Sequence, residues 1–127
     1  MRRLLAIFLV CALVVGVTAG CSSTGGTPQE KVINVGSVCC MTGGSATFGK
    51  SSSNAIAMAI EEFNAAGGAT IDGVKTTINY INEDDAGSPE VGASAAQKLI
   101  NQDKVVGIIG AIMSKVSLAV APICQDN

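Results

Sequence analysis

The 127-residue sequence has no histidine and no tryptophan, and its only aromatic residues are three phenylalanines and one tyrosine. Without histidine, a Ser-His or Cys-His catalytic pair is impossible, and so is a histidine-based metal site. Basic residues are few, eight against ten acidic ones, and they form no cluster. With neither a basic patch nor aromatics for base stacking, nucleic-acid binding is excluded. The five cysteines show no CxxC spacing, so a zinc site is not expected either. The length allows one domain and no more.

What is present begins with an export pattern. Met1-Arg2-Arg3 is positive, Leu4–Val17 is almost wholly apolar, and Thr18-Ala19-Gly20 places small residues before Cys21. This is the layout of a secretory signal, and the apolar run is too short to span a bilayer comfortably. The cysteine directly after the small residues resembles a bacterial lipobox, which implies lipid attachment at Cys21, a signal peptide over 1–20 and an exported, membrane-anchored protein. The plainer alternative is an ordinary signal or an uncleaved anchor with an incidental cysteine. Without residues 1–20 the charge is six basic against ten acidic, a net of about −4. Residues 21–30, CSSTGGTPQE, lack an apolar period and read as a flexible tether. Cys39, Cys40 and Cys124 remain, an odd number that permits at most one disulfide; small buried hydrophobes is the simpler reading for them.

From residue 31 a strand–helix rhythm repeats three times. Val32–Val38 is β-branched and predicts a strand. Residues 46–66 carry a helical stripe of Ile56, Ala59, Ile60 and Phe63, stopped by Gly67-Gly68. Val74–Asn82 predicts a second strand, and the acidic Glu83-Asp84-Asp85 reads as the turn after it. Ser88-Pro89 starts a helix faced by Val91, Ala95 and Leu99. Val105–Ile109 is unbroken apolar and reads as a strand buried on both faces. Ser114 is placed to cap a last helix, 115–125, which Pro122 should kink or shorten.

The pattern predicts an α/β fold, a three-layer, partial doubly wound parallel sheet of order 2-1-3 with right-handed crossovers. An apolar third strand left at the sheet edge would expose backbone and apolar surface, so the chain reads as a fragment or a truncated reading frame.

In such a sheet, ligands bind beyond the strand carboxyl ends where strand order reverses. The two loops there are Cys39–Lys50 and Gly110–Ser117, each leading into a helix start whose free amides favour a carboxylate. Thr42, Ser45, Thr47 and Ser114 offer hydroxyls and Phe48 an apolar wall, although ordinary turn and cap roles fit these residues equally well. Residues 44–51, GSATFGKS, also match the phosphate-loop pattern G-x-x-x-x-G-K-[ST]. Nucleotide binding is disfavoured, because an exported domain meets little ATP and the preceding strand ends several residues too early.

The stretches VINVGSV, TGGSATFGKSSSNAIAMAIEEFNAAGG, INEDDAGSPEVGASAAQKLINQDKVVGIIG and SLAVAPICQDN resemble the start of branched-chain amino acid-type solute-binding proteins of ABC transporters. The resemblance covers residues 31–127 and implies the incomplete first lobe of a periplasmic-binding fold. It further implies a non-enzymatic protein without cofactor or metal, whose partners are an amino acid or similar carboxylate and the permease subunits. It places Phe48 beside the ligand, where tyrosine is common, and Ser114 on the ligand carboxylate, with Thr42 in the first loop and Ser117 nearby. Met113, Lys115, Cys40 and Cys124 depart from the family pattern. The second lobe and the residues for the ligand ammonium are missing, so a half-site open to water should bind weakly. Two other readings follow the same residues: a ligand-sensing receptor domain, or a fragment with no function of its own.

Overall fold

The computed structural model describes residues 30–127. The expected signal over 1–20, the lipid site at Cys21 and nearly all of the tether lie outside the described residues. The elements are β1 (Glu30–Cys39), α1 (Ala46–Ala65), β2 (Ala69–Ile71), β3 (Val74–Asp84), α2 (Pro89–Asn101), β4 (Ile108–Gly110) and α3 (Ser114–Gln125).

The sheet order is β2-β3-β1-β4. Its parallel part, β3-β1-β4, is the predicted 2-1-3 arrangement. The sheet is mixed rather than purely parallel, because β2 pairs antiparallel with β3. Asp72 and Gly73 join the two strands with φ of 52° and 80°, the double positive φ of a two-residue hairpin turn.

Strand alternation sends odd and even residues of β1 to opposite faces. On the even face, Val38 joins Ala95, Ala96 and Leu99 of α2 and Val116 and Val120 of α3 in the buried apolar core. Gly36 makes room there: a Cβ on it would stand 2.9 Å from Leu99 Cδ1. The odd face, under α1, carries Ile33, Val35 and Cys39 and, between the last two, a polar cluster around Ser37. Buried Ser37 hydrogen-bonds the Tyr80 hydroxyl and Asn82 Oδ1, each at 2.6 Å. Ser53 of α1 reaches the same Tyr80 hydroxyl at 3.2 Å. A buried polar cluster needs every member partnered, and this one fixes how α1 sits on the sheet.

α1 approaches β1 so closely that a Cβ on Gly49 would lie 2.0 Å from the Cys40 carbonyl oxygen. Its inward positions are therefore Gly49 and Ser53, with Ile56, Ile60 and Phe63 half-buried, while the expected stripe member Ala59 is exposed. On α2 the buried face is Gly92, Ala95, Ala96 and Leu99; Val91 is 44% exposed. Ser88 caps α2, accepting the Val91 N–H at 3.4 Å. α3 continues through Pro122 to Gln125.

The expectation for the third strand needs correction. Regular β4 covers only Ile108–Gly110, although the Val106 N–H donates to the Asn34 carbonyl at 2.8 Å and extends the pairing. β4 is the edge of the sheet and is not buried on both faces: Val106 is 70% and Ile109 45% exposed. An uncharged run is buried only where neighbours exist to cover it, and no further strand lies beside β4 among the described residues.

Candidate functional site

Three loops leave the sheet at one end. β1 and β3 run in register to Cys39↔Asp84, and β1 and β4 to Val38↔Gly110. The loop after β1 leads to α1 on one face. The loop after β4 leads to α3, which packs with α2 on the other face. This divergence is where a crevice opens in a doubly wound sheet. The segments holding Phe48 and Ser114 therefore start from adjacent strands at the same end.

The first loop is held by a residue that the sequence reading treated only as part of a turn. The Asp84 carboxylate accepts the Met41 N–H at 2.7 Å, the Thr42 N–H at 3.3 Å, the Thr42 hydroxyl at 2.6 Å and the Ala86 N–H at 2.8 Å. Partial desolvation pushes this carboxyl up. The hydrogen bonds from the Thr42 hydroxyl and from the amides of Ala86, Met41 and Thr42 outweigh that and hold it below its ordinary range. The neighbouring Asp85 is buried and accepts the Gly87 N–H at 2.6 Å. The readable signal was the acidic end of β3 lying opposite the end of β1.

Thr42 thus gives its hydroxyl proton to Asp84, leaving only lone pairs for another partner. Phe48 lies in the first turn of α1 with its ring 68% exposed. Ser45 stands at the N-cap position without a side-chain cap bond. The Ala46 amide donates to the Gly43 carbonyl, and those of Phe48 and Gly49 to Ser45. These amides are occupied and cannot cradle a phosphate, and Lys50 sits on the exposed side of the helix. The phosphate-loop match is a coincidence of spacing.

The second loop is fastened differently. Ser117 Oγ donates to the Ala111 carbonyl at 2.8 Å, with a longer approach to the Met113 carbonyl at 3.4 Å. Met113, not Ser114, is the N-cap of α3, and no side chain caps it. Ser114 is the first helical residue, is exposed, and has no side-chain hydrogen bond among the described residues. Ser114 and Lys115 head the helix, where amides have no intrahelical acceptor.

The three cysteines in the described residues are free: Cys39 and Cys40 are buried and Cys124 is exposed. Burial pushes the Cys39 thiol up, opposed by its contact with the Ser37 hydroxyl, so it is a poor nucleophile. Among the described residues no three His, Cys, Asp or Glu side chains group closely enough to share a metal ion. The residues brought together at the rim are hydroxyls, amides, one aromatic ring and the carboxylates of Asp84, whose oxygens are both in use, and Asp85, whose Oδ2 has no partner among the described residues. They suit reversible binding of a small polar molecule.

Known proteins resemble this chain over most of its described residues. A sequence profile described as Periplasmic binding protein matches residues 32–127. The Leu/Ile/Val-binding protein homolog 2 of Brucella abortus is 34% identical over 118 residues, covering 93% of this chain and 28% of that protein. The branched-chain amino acid transporter substrate-binding protein LivJ of Streptococcus pneumoniae, solved with isoleucine, superposes with a TM-score of 0.68 at 28% identity. That match covers 76% of this chain and 26% of LivJ. A solute-binding protein of an ABC transporter from Rhodopseudomonas palustris, solved with 3,4-dihydroxybenzoic acid, gives a TM-score of 0.63 at 37% identity, over 75% of this chain and 24% of that one. The chain spans about a quarter of the length of each of these relatives.

Proposed function

The chain belongs to the periplasmic binding protein family, and from that premise we propose that its loop crevice captures the carboxylate of an amino acid or a related small acid for delivery to an ABC permease. The observation that carries this is that the loops into α1 and α3 leave one end of adjacent parallel strands, with the Ser114 and Lys115 amides open at the start of α3. A carboxylate there gains charge-assisted hydrogen bonds and the favourable end of the helix dipole.

Roles follow from the hydrogen bonds already made. Ser114 supplies a hydroxyl donor and, with Lys115, open amides for the carboxylate. Phe48 walls the apolar part of the ligand. Thr42 and Ser117 have spent their protons on Asp84 and the Ala111 carbonyl, so they face a ligand only as acceptors, suited to an ammonium. Relatives are named for leucine, isoleucine and valine, and one was solved with a dihydroxybenzoate. A carboxylate is common to all of these, so the acid group is the shared requirement and the side-chain pocket the variable one. The same reading places the domain outside the cytoplasm, held by lipid at Cys21. Cys21→Ser should abolish the lipid label; an unchanged label would remove the anchor.

Saturation-transfer NMR tests the binding mode. Leucine and 4-methylpentanoate should both receive saturation from the protein, at millimolar affinity, while isoamylamine should not. Equal transfer to the amine would overturn carboxylate capture.

A further inference from the structure

The two helices on the even face begin in unlike ways. α2 has a complete start: its N-cap Ser88 accepts the Val91 N–H at 3.4 Å, and the Glu90 carboxylate accepts the Ser88 hydroxyl at 2.6 Å. α3 has neither. Its N-cap is Met113, which has no side-chain oxygen, and no side-chain bond caps it. The third helical residue, where a glutamate or glutamine commonly reaches back to the N-cap amide, is Val116. The amides of Met113, Ser114 and Lys115 find no acceptor among the described residues.

An acceptor without a donor lies beside them. Asp85 is fully buried, and most of its polar groups serve the turn into α2. Its carbonyl accepts the Ser88 N–H at 2.7 Å and its Oδ1 the Gly87 N–H at 2.6 Å. Oδ2 is buried too and has no partner among the described residues. No lysine or arginine pairs with it there; the ion pairs are Lys75–Glu30 and Lys98–Glu83. Gly92 of α2 marks the place. A Cβ on it would collide with Val116 Cγ1 and stand 3.5 Å from the Asp85 Cβ, so Asp85 lies against the first turn of α3. A buried carboxylate oxygen without a donor is costly, and a helix start with open amides is the group that relieves it.

We propose that Asp85 is a positioning residue for the loop after β4: when a ligand seats on Ser114 and Lys115, Oδ2 takes the Met113 N–H and caps α3 from another element. This rests on the carboxylate capture described above. The ligand orders two of three open amides, and the third closes on the free acceptor beside it, so ligand and cap favour the same seating of the loop. The second loop is the part that moves, because its firm tie is the single bond from Ser117 Oγ to the Ala111 carbonyl. Adjacent carboxylates at one strand end then set both loops, Asp84 the first and Asp85 the second. Asp85 touches no ligand in this scheme and acts through Met113.

Through-hydrogen-bond scalar coupling between the Met113 amide nitrogen and the Asp85 carboxyl carbon, recorded on the labelled 127-residue protein with and without saturating leucine, reads the bond directly. The coupling should appear with leucine, and Met113 amide exchange should slow at least tenfold. Asp85→Asn keeps an oxygen for Gly87 and puts a donor where Oδ2 was. It should leave Gly87 exchange within twofold of the original protein, weaken leucine binding at least fivefold and abolish the slowing at Met113. The coupling needs no variant, so it decides the matter even where Asp85→Asn unfolds the chain. Leucine-induced shifts at Ser114 and Lys115 without the coupling would overturn the role of Asp85 and leave carboxylate capture standing. So would an Asp85→Asn protein with undiminished leucine affinity. Absence of leucine shifts at Ser114 and Lys115 would overturn carboxylate capture itself, and the cap with it.

Discussion

The loop after β1 and the loop after β4 leave the same end of the sheet, yet they are held by unlike means. One carboxylate, Asp84, gathers four donors from the first loop and its neighbour. One hydroxyl, Ser117, ties the second loop back to a single carbonyl. The first loop leaves β1, which is flanked by β3 and β4, whereas the second leaves β4, the edge strand among the described residues. A loop becomes rigid when its polar backbone groups find fixed acceptors inside the fold. Where neighbours are lacking, local bonds alone must serve, and they resist opening less.

Four substitutions break or sharpen this contrast. Gly49→Ala should have the largest effect, because its Cβ meets the Cys40 backbone with nothing flexible to yield. A loss of about 3 kcal/mol in urea denaturation is expected, with the first loop disordered. Asp84→Asn comes next, at about 1.5 kcal/mol, since four donors, most of them solvent-exposed, lose a charged acceptor. Amide exchange at Met41, Thr42 and Ala86 should quicken while Lys115 is unchanged. Asp84 also predicts a pH effect of definite sign. Its folded-state pKa is depressed, so the unfolded chain binds more protons between the two values. The stabilisation is present above the ordinary aspartate range and is lost as pH falls through the depressed value. Asp84→Asn should flatten that acid limb.

Ser117→Ala should cost about 1 kcal/mol and quicken exchange only in the second loop. Phe48→Ala should be smallest for stability, under about 0.5 kcal/mol, because the ring is exposed. Its effect belongs to ligand binding, and a large loss of stability would show the ring to be a packing residue.

Much of this was legible in the sequence. The β-branched run before residue 39, the Ser88-Pro89 helix start and the order of the three parallel strands follow from local patterns that the fold does not override. Three features escaped for physical reasons. The Asp72-Gly73 hairpin signal sits in the chain, but β2 is only three residues long, too short to show a period. The inward face of α1 is set by close approach to β1, which selects glycine and serine at 49 and 53 over the larger apolar residues that define a stripe. Asp84 acts across a distance of 42 residues in sequence, and spacing rules do not see an acceptor that serves another strand's loop. The apolar run at 105–109 misled in the opposite sense: composition reports that burial is wanted, not that a neighbour provides it.

The central claim is that both loops face one crevice and meet one ligand there. Titration of the labelled protein with leucine, read by amide chemical shifts, tests it most directly. Resonances near Phe48 and those of Ser114 and Lys115 should move together along one binding curve, while the Asp72-Gly73 turn at the far end of the sheet stays still. Shifts confined to one loop, or centred on that turn, would contradict the account.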